Sequence, residues 1–206
     1  MAPKKKAKPP QDELPPLFDA TTLPTPALDS KPLRMTYRIA RGEQGVLTFQ
    51  PYKTHLLPLW RFKTASIATR SSQNLFSAFQ FYVTQGDFVG ADMCRKFLQM
   101  GMTRARRYAN HKGGKKYDRS ARVVELEGGV RRELERGGEW EGREEKVRAG
   151  EVFRGVWERC KGDERYGVLK REFLEELKAW EGEGGREGEG DGEAGVEVEG
   201  AEDGKT

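Results

Sequence analysis

The chain has 206 residues, of which 34% are charged and 35% apolar, so we expect one domain with solvated or disordered extensions. No apolar run approaches the roughly 18 residues that a membrane span needs, and the N-terminal residues contain no apolar signal core. We therefore expect neither a membrane protein nor a secreted one. The two cysteines, Cys94 and Cys160, are too few for a disulfide framework, which favours a reducing compartment.

The net charge of +4 conceals a strong asymmetry along the chain. Residues 34–119 contain 16 basic and 4 acidic residues, a net charge of +12, together with 13 aromatic residues. Residues 120–206 contain 16 basic and 25 acidic residues, a net charge of −9. A basic, aromatic-rich part joined to an acidic part is typical of a polyanion-binding protein. The alternative is that the acidic part neutralises the basic part within the same molecule.

Both ends of the chain have the composition of disordered segments. Residues 1–33 hold eight of the ten prolines, which remove backbone donors and fix φ, so we expect a Pro/Lys-rich arm without helix or sheet. Residues 181–206 contain 9 Gly and 10 Asp/Glu, and we expect a disordered acidic tail. The folded domain is expected over about 34–178, as a basic core (34–119), a variable linker with at most partial helix (120–143) and C-terminal helices packing on the core (144–180).

The first predicted elements are two short strands, Met35–Ala40 and Val46–Gln50. The five residues between them include Gly42 and Gly45, which can adopt positive φ, and this favours a β-hairpin. With the helices that follow, the prediction is an α+β domain, mostly helical, with a short N-terminal β-hairpin, packed amphipathic helices and disordered termini.

Amphipathic helices dominate the rest of the domain. Thr64 is placed to cap a helix that runs to about Val83, Gly86 to end it, and Asp87 to cap the next helix, Phe88–Ala109. Two helices joined so closely form either a plain helical hairpin, which is the commoner case, or a DNA-binding helix-turn-helix. Two further helices are predicted at Glu144–Cys160 and Asp163–Trp180.

The predicted helix Phe88–Ala109 has one apolar face and one basic face, and a basic loop with two glycines follows it. Clustered Lys and Arg bind phosphates, and glycine lets backbone N–H groups approach a phosphate closely. Tyr117 could stack on a base, as could Tyr108, although Tyr108 lies on the apolar face and is expected in the core. The candidate nucleic-acid-binding residues are Arg95, Lys96, Arg104, Arg106, Arg107, His111, Lys112, Gly113, Gly114, Lys115, Lys116 and Arg119.

Three functions remain open from these patterns. The favoured one is a non-enzymatic protein that binds the phosphate backbone of DNA or RNA through the basic face and loop. The second is a protein–protein adaptor whose basic face binds an acidic partner. The third is a metal-dependent phosphodiester enzyme built on Asp87, Asp92 and His111, although Asp87 is better explained as a helix cap and Asp92 as an ion pair with Lys96.

Motifs of known enzymes are absent from the sequence. It contains no GxxxxGK[ST], HExxH or GxSxG pattern. The two histidines, His55 and His111, do not have metal-ligand spacing with either cysteine. We therefore expect no metal and no cofactor.

A lysine cluster near the N-terminus resembles a nuclear import signal. Import receptors bind an extended lysine-rich peptide, and here Lys4, Lys5, Lys6 and Lys8 lie among prolines. We expect a nuclear protein that meets an import receptor, with the cytoplasm as the alternative. The same lysines could instead be a solvated charge run or an arm that contacts nucleic acid directly.

Several motifs together resemble a known family. They are Tyr37-Arg38-Ile39 with Arg41-Gly42-Glu43-Gln44-Gly45-Val46, then Pro51-Tyr52-Lys53, Leu59-Trp60-Arg61-Phe62-Lys63 and the stretch DFVGADMCRKFLQMGMTRARRYANHKGGKKYD from Asp87 to Asp118. This pattern is similar to a family of small uncharacterised proteins, filed as a domain of unknown function, in fungi, bacteria and phages. The resemblance is strong over Met35–Asp118 and weaker over Val152–Phe173. It implies a single compact domain and no particular activity, so it supplies no catalytic residues.

Overall fold

The structure is a computed structural model that describes Leu14 and residues 16–187, with side chains described as far as Gly182. The lysine cluster Lys4–Lys8 and the tail from residue 188 onward lie outside the described residues. Three short 3-10 turns, at Ala20–Thr22, Leu57–Leu59 and Lys112–Gly114, lie between or before the helices. The helices are α1 (Pro26–Asp29), α2 (Lys31–Thr36), α3 (Tyr52–Leu56), α4 (Ala65–Gln85), α5 (Phe88–Asn110), α6 (Ala121–Glu127), α7 (Arg143–Lys161) and α8 (Glu164–Glu187).

The long helices begin and end where local chemistry requires it. The Thr64 side chain accepts a hydrogen bond from the backbone N–H of Ile67 and caps α4. Gly86 ends α4 with φ of 80°, in the left-handed region that glycine adopts without a steric penalty. Asp87 accepts a hydrogen bond from the Gly90 N–H at 2.9 Å and caps α5. The predicted caps and the glycine stop are therefore confirmed.

The core is built around α5, against which both α4 and α7 pack. Helix α8 crosses the first turns of α5 and buries Tyr166, Phe173 and Leu177. The predicted bounds of these four helices are correct to within one or two residues, except at the end of α8, which continues to Glu187. The expected packing of C-terminal helices on the basic part is also observed, since Phe153 of α7 is fully buried against α5.

The predicted N-terminal β-hairpin is wrong, because the residues described by the structure form no β-strand at all. Gly42 and Gly45 do adopt positive φ, but they lie in consecutive turns rather than between paired strands. Met35 ends up in α2, and the buried side chains of Tyr37 and Val46 pack on the helical core. A lone two-stranded ribbon is marginal in water, so packing on the helices decides the backbone here. The domain is all-helical rather than α+β.

The folded part also begins earlier than the predicted boundary at residue 34. Helices α1 and α2 lie largely within the segment expected to contain no helix, and Ala27 is fully buried. The prolines do not oppose these helices, because Pro26 is the first residue of α1 and Pro32 the second residue of α2, where a backbone N–H has no partner within the helix. The Ala27 N–H donates to the Tyr52 hydroxyl at 3.0 Å, which ties α1 to α3.

Helix α6 lies within the segment 120–143, and α7 begins at its last residue, Arg143. Within the described part of the chain, none of the helices combines the length and the apolar character needed to cross a membrane.

Candidate nucleic-acid interface

A basic cleft of about 530 Å³ lies beyond the C-terminal end of α5. Its walls come from the last turns of α5, the loop that follows, the start of α6 and the segment after α6. We call it the basic cleft, and its lining residues are Arg107, Lys115, Lys116, Tyr117, Asp118, Arg119, Ser120, Val123 and Arg131.

Positive charge dominates this lining, with five cations against one carboxylate. Lys116 is the only one of the five with an ion pair among the described residues, to Glu133 at 3.5 Å. The carboxylate of Asp118 accepts a hydrogen bond from the Arg132 N–H at 3.1 Å. Four cations, namely Arg107, Lys115, Arg119 and Arg131, therefore lie in the cleft without an acidic partner in the described structure.

The cleft is closed on one side by a segment that runs antiparallel to the loop after α5. The Leu134 N–H donates to the Lys116 carbonyl at 2.9 Å, and the Gly137 N–H donates to the Asn110 carbonyl at 3.1 Å. A single β-bridge joins Tyr117 to Glu133. These backbone hydrogen bonds bring residues of the predicted linker into the site.

Arg131 contacts the ring of Tyr117 in the cleft. The guanidinium carbon of Arg131 lies 4.1 Å from the centroid of the Tyr117 ring, which is a close cation–π contact. The Arg131 Nε also donates to the Arg119 carbonyl at 3.2 Å, so the guanidinium makes two contacts within the cleft. Lys116 Nζ lies 5.2 Å from the same ring centroid.

Arg95 and Lys96 do not contribute to an exposed basic face, because both contact a buried carboxylate. Asp92 is fully buried and accepts hydrogen bonds from the hydroxyls of Tyr37 at 2.5 Å and Tyr166 at 2.7 Å. Arg95 Nε donates to the same carboxylate at 2.7 Å. Asp92 thus joins the segment before α3, helix α5 and helix α8 in the interior of the domain.

Lys96 is fully buried, although the sequence places it on the basic face of the helix. Its ammonium group donates to the Gln44 carbonyl at 3.1 Å, lies 3.8 Å from Asp92 and is 5.1 Å from the ring centroid of Tyr37. Burial lowers the pKa of Lys96 below its ordinary value, in spite of the nearby carboxylate. The side chain therefore anchors the turn after α2 instead of meeting solvent.

Electrostatics favour the ionised form of Asp92. Burial would raise the pKa of this carboxyl group, but the charge of Arg95 and the hydroxyls of Tyr37 and Tyr166 outweigh that effect, so the pKa lies below its ordinary value.

The pKa of Asp87 shifts in the opposite direction. Burial raises its pKa even though the Gly90 N–H and the Tyr52 hydroxyl donate to it.

The remaining predicted residues on α5 are separated from the basic cleft. Arg106 lines a smaller groove of about 250 Å³ between α5 and α7, where Glu151 and Arg154 also lie. Arg104 is half-buried and does not line the basic cleft. His111 is buried at the end of α5. Only Arg107 of the predicted α5 residues reaches the cleft.

The two loop glycines have a structural role. Gly113 and Gly114 adopt φ of 70° and 72° in the short turn that also contains the exposed Lys112. A Cβ atom on Gly114 would lie 2.8 Å from the ring of Tyr108, so glycine is needed for the turn to pack on that ring. Neither glycine lines the basic cleft.

His111 lies far from Asp92 in the structure, although both belong to the third candidate function, phosphodiester chemistry. Asp92 and His111 are 19 residues apart on and after one helix, which separates them by about 28 Å. The Asp87 carboxylate caps α5 and accepts a hydrogen bond from the Tyr52 hydroxyl. Among the described residues, no group of three or more His, Cys, Asp or Glu side chains is placed to hold a metal ion.

The sequence predicts four of the five cleft cations and does not predict the fifth. It predicts Arg107, Lys115, Lys116 and Arg119, because they are close together in the chain. It does not predict Arg131, because this residue lies in the predicted linker and reaches the cleft only through backbone pairing with the loop. The one hint in the sequence is the basic pair Arg131-Arg132 between glycine-rich stretches.

Comparison with known proteins gives a family but no activity. Neither the curated proteins nor the solved structures include a match to this chain. A family model described as a domain of unknown function (DUF4385) matches residues 20–176, which is most of the chain. The match confirms the expected membership of a family of this kind, and it begins close to the first described turn and ends within α8. The chain therefore belongs to the DUF4385 family, a domain of unknown function.

Proposed function

We propose that this protein binds nucleic acid by holding backbone phosphates in the basic cleft, as a binding protein rather than an enzyme. The observation that carries the proposal is the set of four cleft cations without an acidic partner among the described residues. A cluster of unneutralised Arg and Lys side chains gains free energy when phosphates displace its counterions. Three of the four are arginines, whose planar donors suit phosphate oxygens.

Acidic residues of the same chain pair with other basic residues, but in the described structure they do not pair with these four cleft cations. Glu176 of α8 forms a two-pronged ion pair with Arg34, with N–O distances of 2.8 and 2.6 Å. Glu181 lies 3.1 Å from Arg38. Both pairs involve bases in and just after α2, which are not cleft residues. Among the described residues these two glutamates thus pair with bases in and just after α2, and Lys116 is the one cleft cation with an acidic partner.

Contacts to phosphates supply affinity but do not read the bases. The binding should therefore depend strongly on salt concentration and weakly on the base sequence. The test is fluorescence anisotropy of the full chain with labelled duplex DNA, single-stranded DNA and structured RNA over a series of salt concentrations. We expect binding at low salt and an affinity that falls linearly on a double-logarithmic plot. Absence of binding to all three polymers at low salt would overturn the proposal.

We place this activity in the nucleus, on the basis of the lysine cluster Lys4, Lys5, Lys6 and Lys8. The test is the distribution of a fluorescent fusion of the full chain in which these four lysines are replaced by glutamine. Nuclear accumulation of the unmodified fusion and its loss in the variant are expected. Equal nuclear accumulation of both fusions would contradict the import role of the cluster.

A further inference from the structure

The basic cleft offers a planar stacking surface as well as positive charge. The guanidinium carbon of Arg131 lies 4.1 Å from the Tyr117 ring centroid, and the Arg131 Nε donates to the Arg119 carbonyl. Arg131 is exposed, whereas Tyr117 is half-buried beneath it. Because Arg131 is exposed, part of its guanidinium is open to solvent while these two contacts restrict its movement. A guanidinium plane held in this way is a surface on which a nucleobase can stack.

The two kinds of contact that the cleft offers favour one form of nucleic acid. The cleft is open to solvent and has a volume of about 530 Å³. In a duplex, the flat faces of the bases are already covered by their neighbours, so a duplex can offer the cleft only its phosphates. An unpaired strand can offer phosphates and the face of a base together.

The other cations and the exposed Arg131 guanidinium line the same cleft, so they can contact one nucleotide together. Arg119 contributes its carbonyl to Arg131 and its side chain to the cleft lining, and Lys115 and Arg107 line the same cleft. Asp118 is the one carboxylate in the lining, and the Arg132 N–H donates to it. A phosphate would be held by these cations while the adjoining base stacks on the exposed guanidinium of Arg131.

We infer that the basic cleft binds single-stranded nucleic acid, with an unpaired base stacked on the exposed guanidinium of Arg131 and the neighbouring phosphates on Arg107, Lys115 and Arg119. This inference rests on the proposed function and narrows it to one class of polymer. The Tyr117 ring acts as the support that keeps the guanidinium in place.

The test is the affinity of the full chain for three labelled probes of the same length and sequence. They are a single strand, the same strand annealed to its complement, and a strand whose central nucleotides are abasic and retain only sugar and phosphate. We expect the single strand to bind roughly tenfold more tightly than the abasic strand, since stacking of one base has about that effect. The duplex should also bind more weakly than the single strand. DNA and RNA versions of the single strand then identify the preferred polymer.

A conservative variant isolates the stacking contact from the charge. Arg131→Lys keeps the positive charge and removes the plane, so it should reduce affinity for the single strand severalfold and leave affinity for the abasic strand unchanged. The matched control is Arg136→Lys, because Arg136 is exposed, pairs with Glu133 and does not line the cleft. It should leave the affinity for every probe unchanged.

The outcomes separate this inference from the proposed function. Equal, salt-dependent binding of all three probes would overturn the stacking inference and leave phosphate binding intact. Unchanged affinity of Arg131→Lys for the single strand would also overturn it. Absence of binding to any probe at low salt would overturn both.

Discussion

Gly101 of α5 lies directly against the ring of Phe153 on α7. A Cβ atom at position 101 would be 2.6 Å from the nearest ring carbon, which is closer than real contacts allow. Phe153 is fully buried, so its ring cannot move into solvent. The missing side chain of Gly101 therefore sets how closely the two helices pack.

Gly101→Ala should destabilise the domain, because the added methyl group overpacks the contact with Phe153, at a typical cost of about 1 to 3 kcal/mol. The control is Gly155→Ala on α7, where a Cβ atom would meet nothing within 4 Å. That change should stabilise the domain by roughly 0.5 to 1 kcal/mol, because alanine favours helix more than glycine. Urea unfolding measures both. Stabilisation by Gly101→Ala would contradict the close packing of α5 and α7.

Asp92→Asn should be among the most damaging single changes in the chain. It leaves the hydroxyls of Tyr37 and Tyr166 with a poorer acceptor and removes the counter-charge of Arg95. Breaking one partner of a buried ion pair costs about 3 to 5 kcal/mol. Glu158→Gln, which breaks an exposed pair with Arg154 on α7, should cost less than about 1 kcal/mol in the same urea experiment. Equal effects of the two changes would show that Asp92 is not a structural centre.

The stabilisation by Asp92 should depend on pH in a defined direction. Its pKa is lower in the folded chain than in the unfolded one, where an aspartate titrates near about 4. The contribution is therefore fully present above that value and is lost as pH falls through the lower folded pKa. The difference in unfolding free energy between the parent chain and Asp92→Asn should stay constant from neutral pH to about 5 and shrink below about 4. A difference that grows in acid would contradict the sign of the shift.

Both thiols should be inert in the native protein. Cys94 and Cys160 are buried, and burial raises the pKa of Cys94 well above its ordinary value and that of Cys160 to about 12. The thiolate is the reactive form, so a disulfide reagent should meet almost none. In mildly alkaline buffer we expect no rapid reaction of the folded chain and two reactive thiols after denaturation in guanidinium chloride. Rapid reaction of either cysteine in the native state would mean that the α5–α7–α8 interior is open.

The sequence predicts best those features that depend on neighbours in the chain. Thr64, Gly86 and Asp87 act through backbone groups within a few residues, so their roles as caps and stop can be read directly. The hairpin prediction fails because the alternation of buried Met35 and Tyr37 reflects packing on helices, and nothing local distinguishes that from a strand.

The candidate site shows the same limit. A helical projection separates apolar from basic positions on α5, but it does not reveal that Asp92 and Tyr37 draw Arg95 and Lys96 into the interior. Similarly, Arg131 enters the cleft only through contacts made across the fold. Charge position relative to the core is a tertiary property, and a pattern within one helix does not determine it.

The central claim is that the basic cleft is the surface that meets nucleic acid. The direct test compares two variants of the full chain that lose the same positive charge. The cleft variant replaces Arg107, Lys115 and Arg119 with glutamine. The control variant makes the same replacement at three exposed cations of α8, Lys170, Arg171 and Lys178.

The measurement is the salt dependence of binding to a single strand, because each phosphate contact contributes about 0.7 to the slope of log affinity against log salt. The cleft variant should bind more weakly at low salt, with a slope smaller by about 2 than that of the parent chain. The control variant should keep the parent slope. Equal slopes for the cleft variant and the parent chain, or an equal loss in both variants, would contradict the assignment of nucleic-acid binding to the basic cleft.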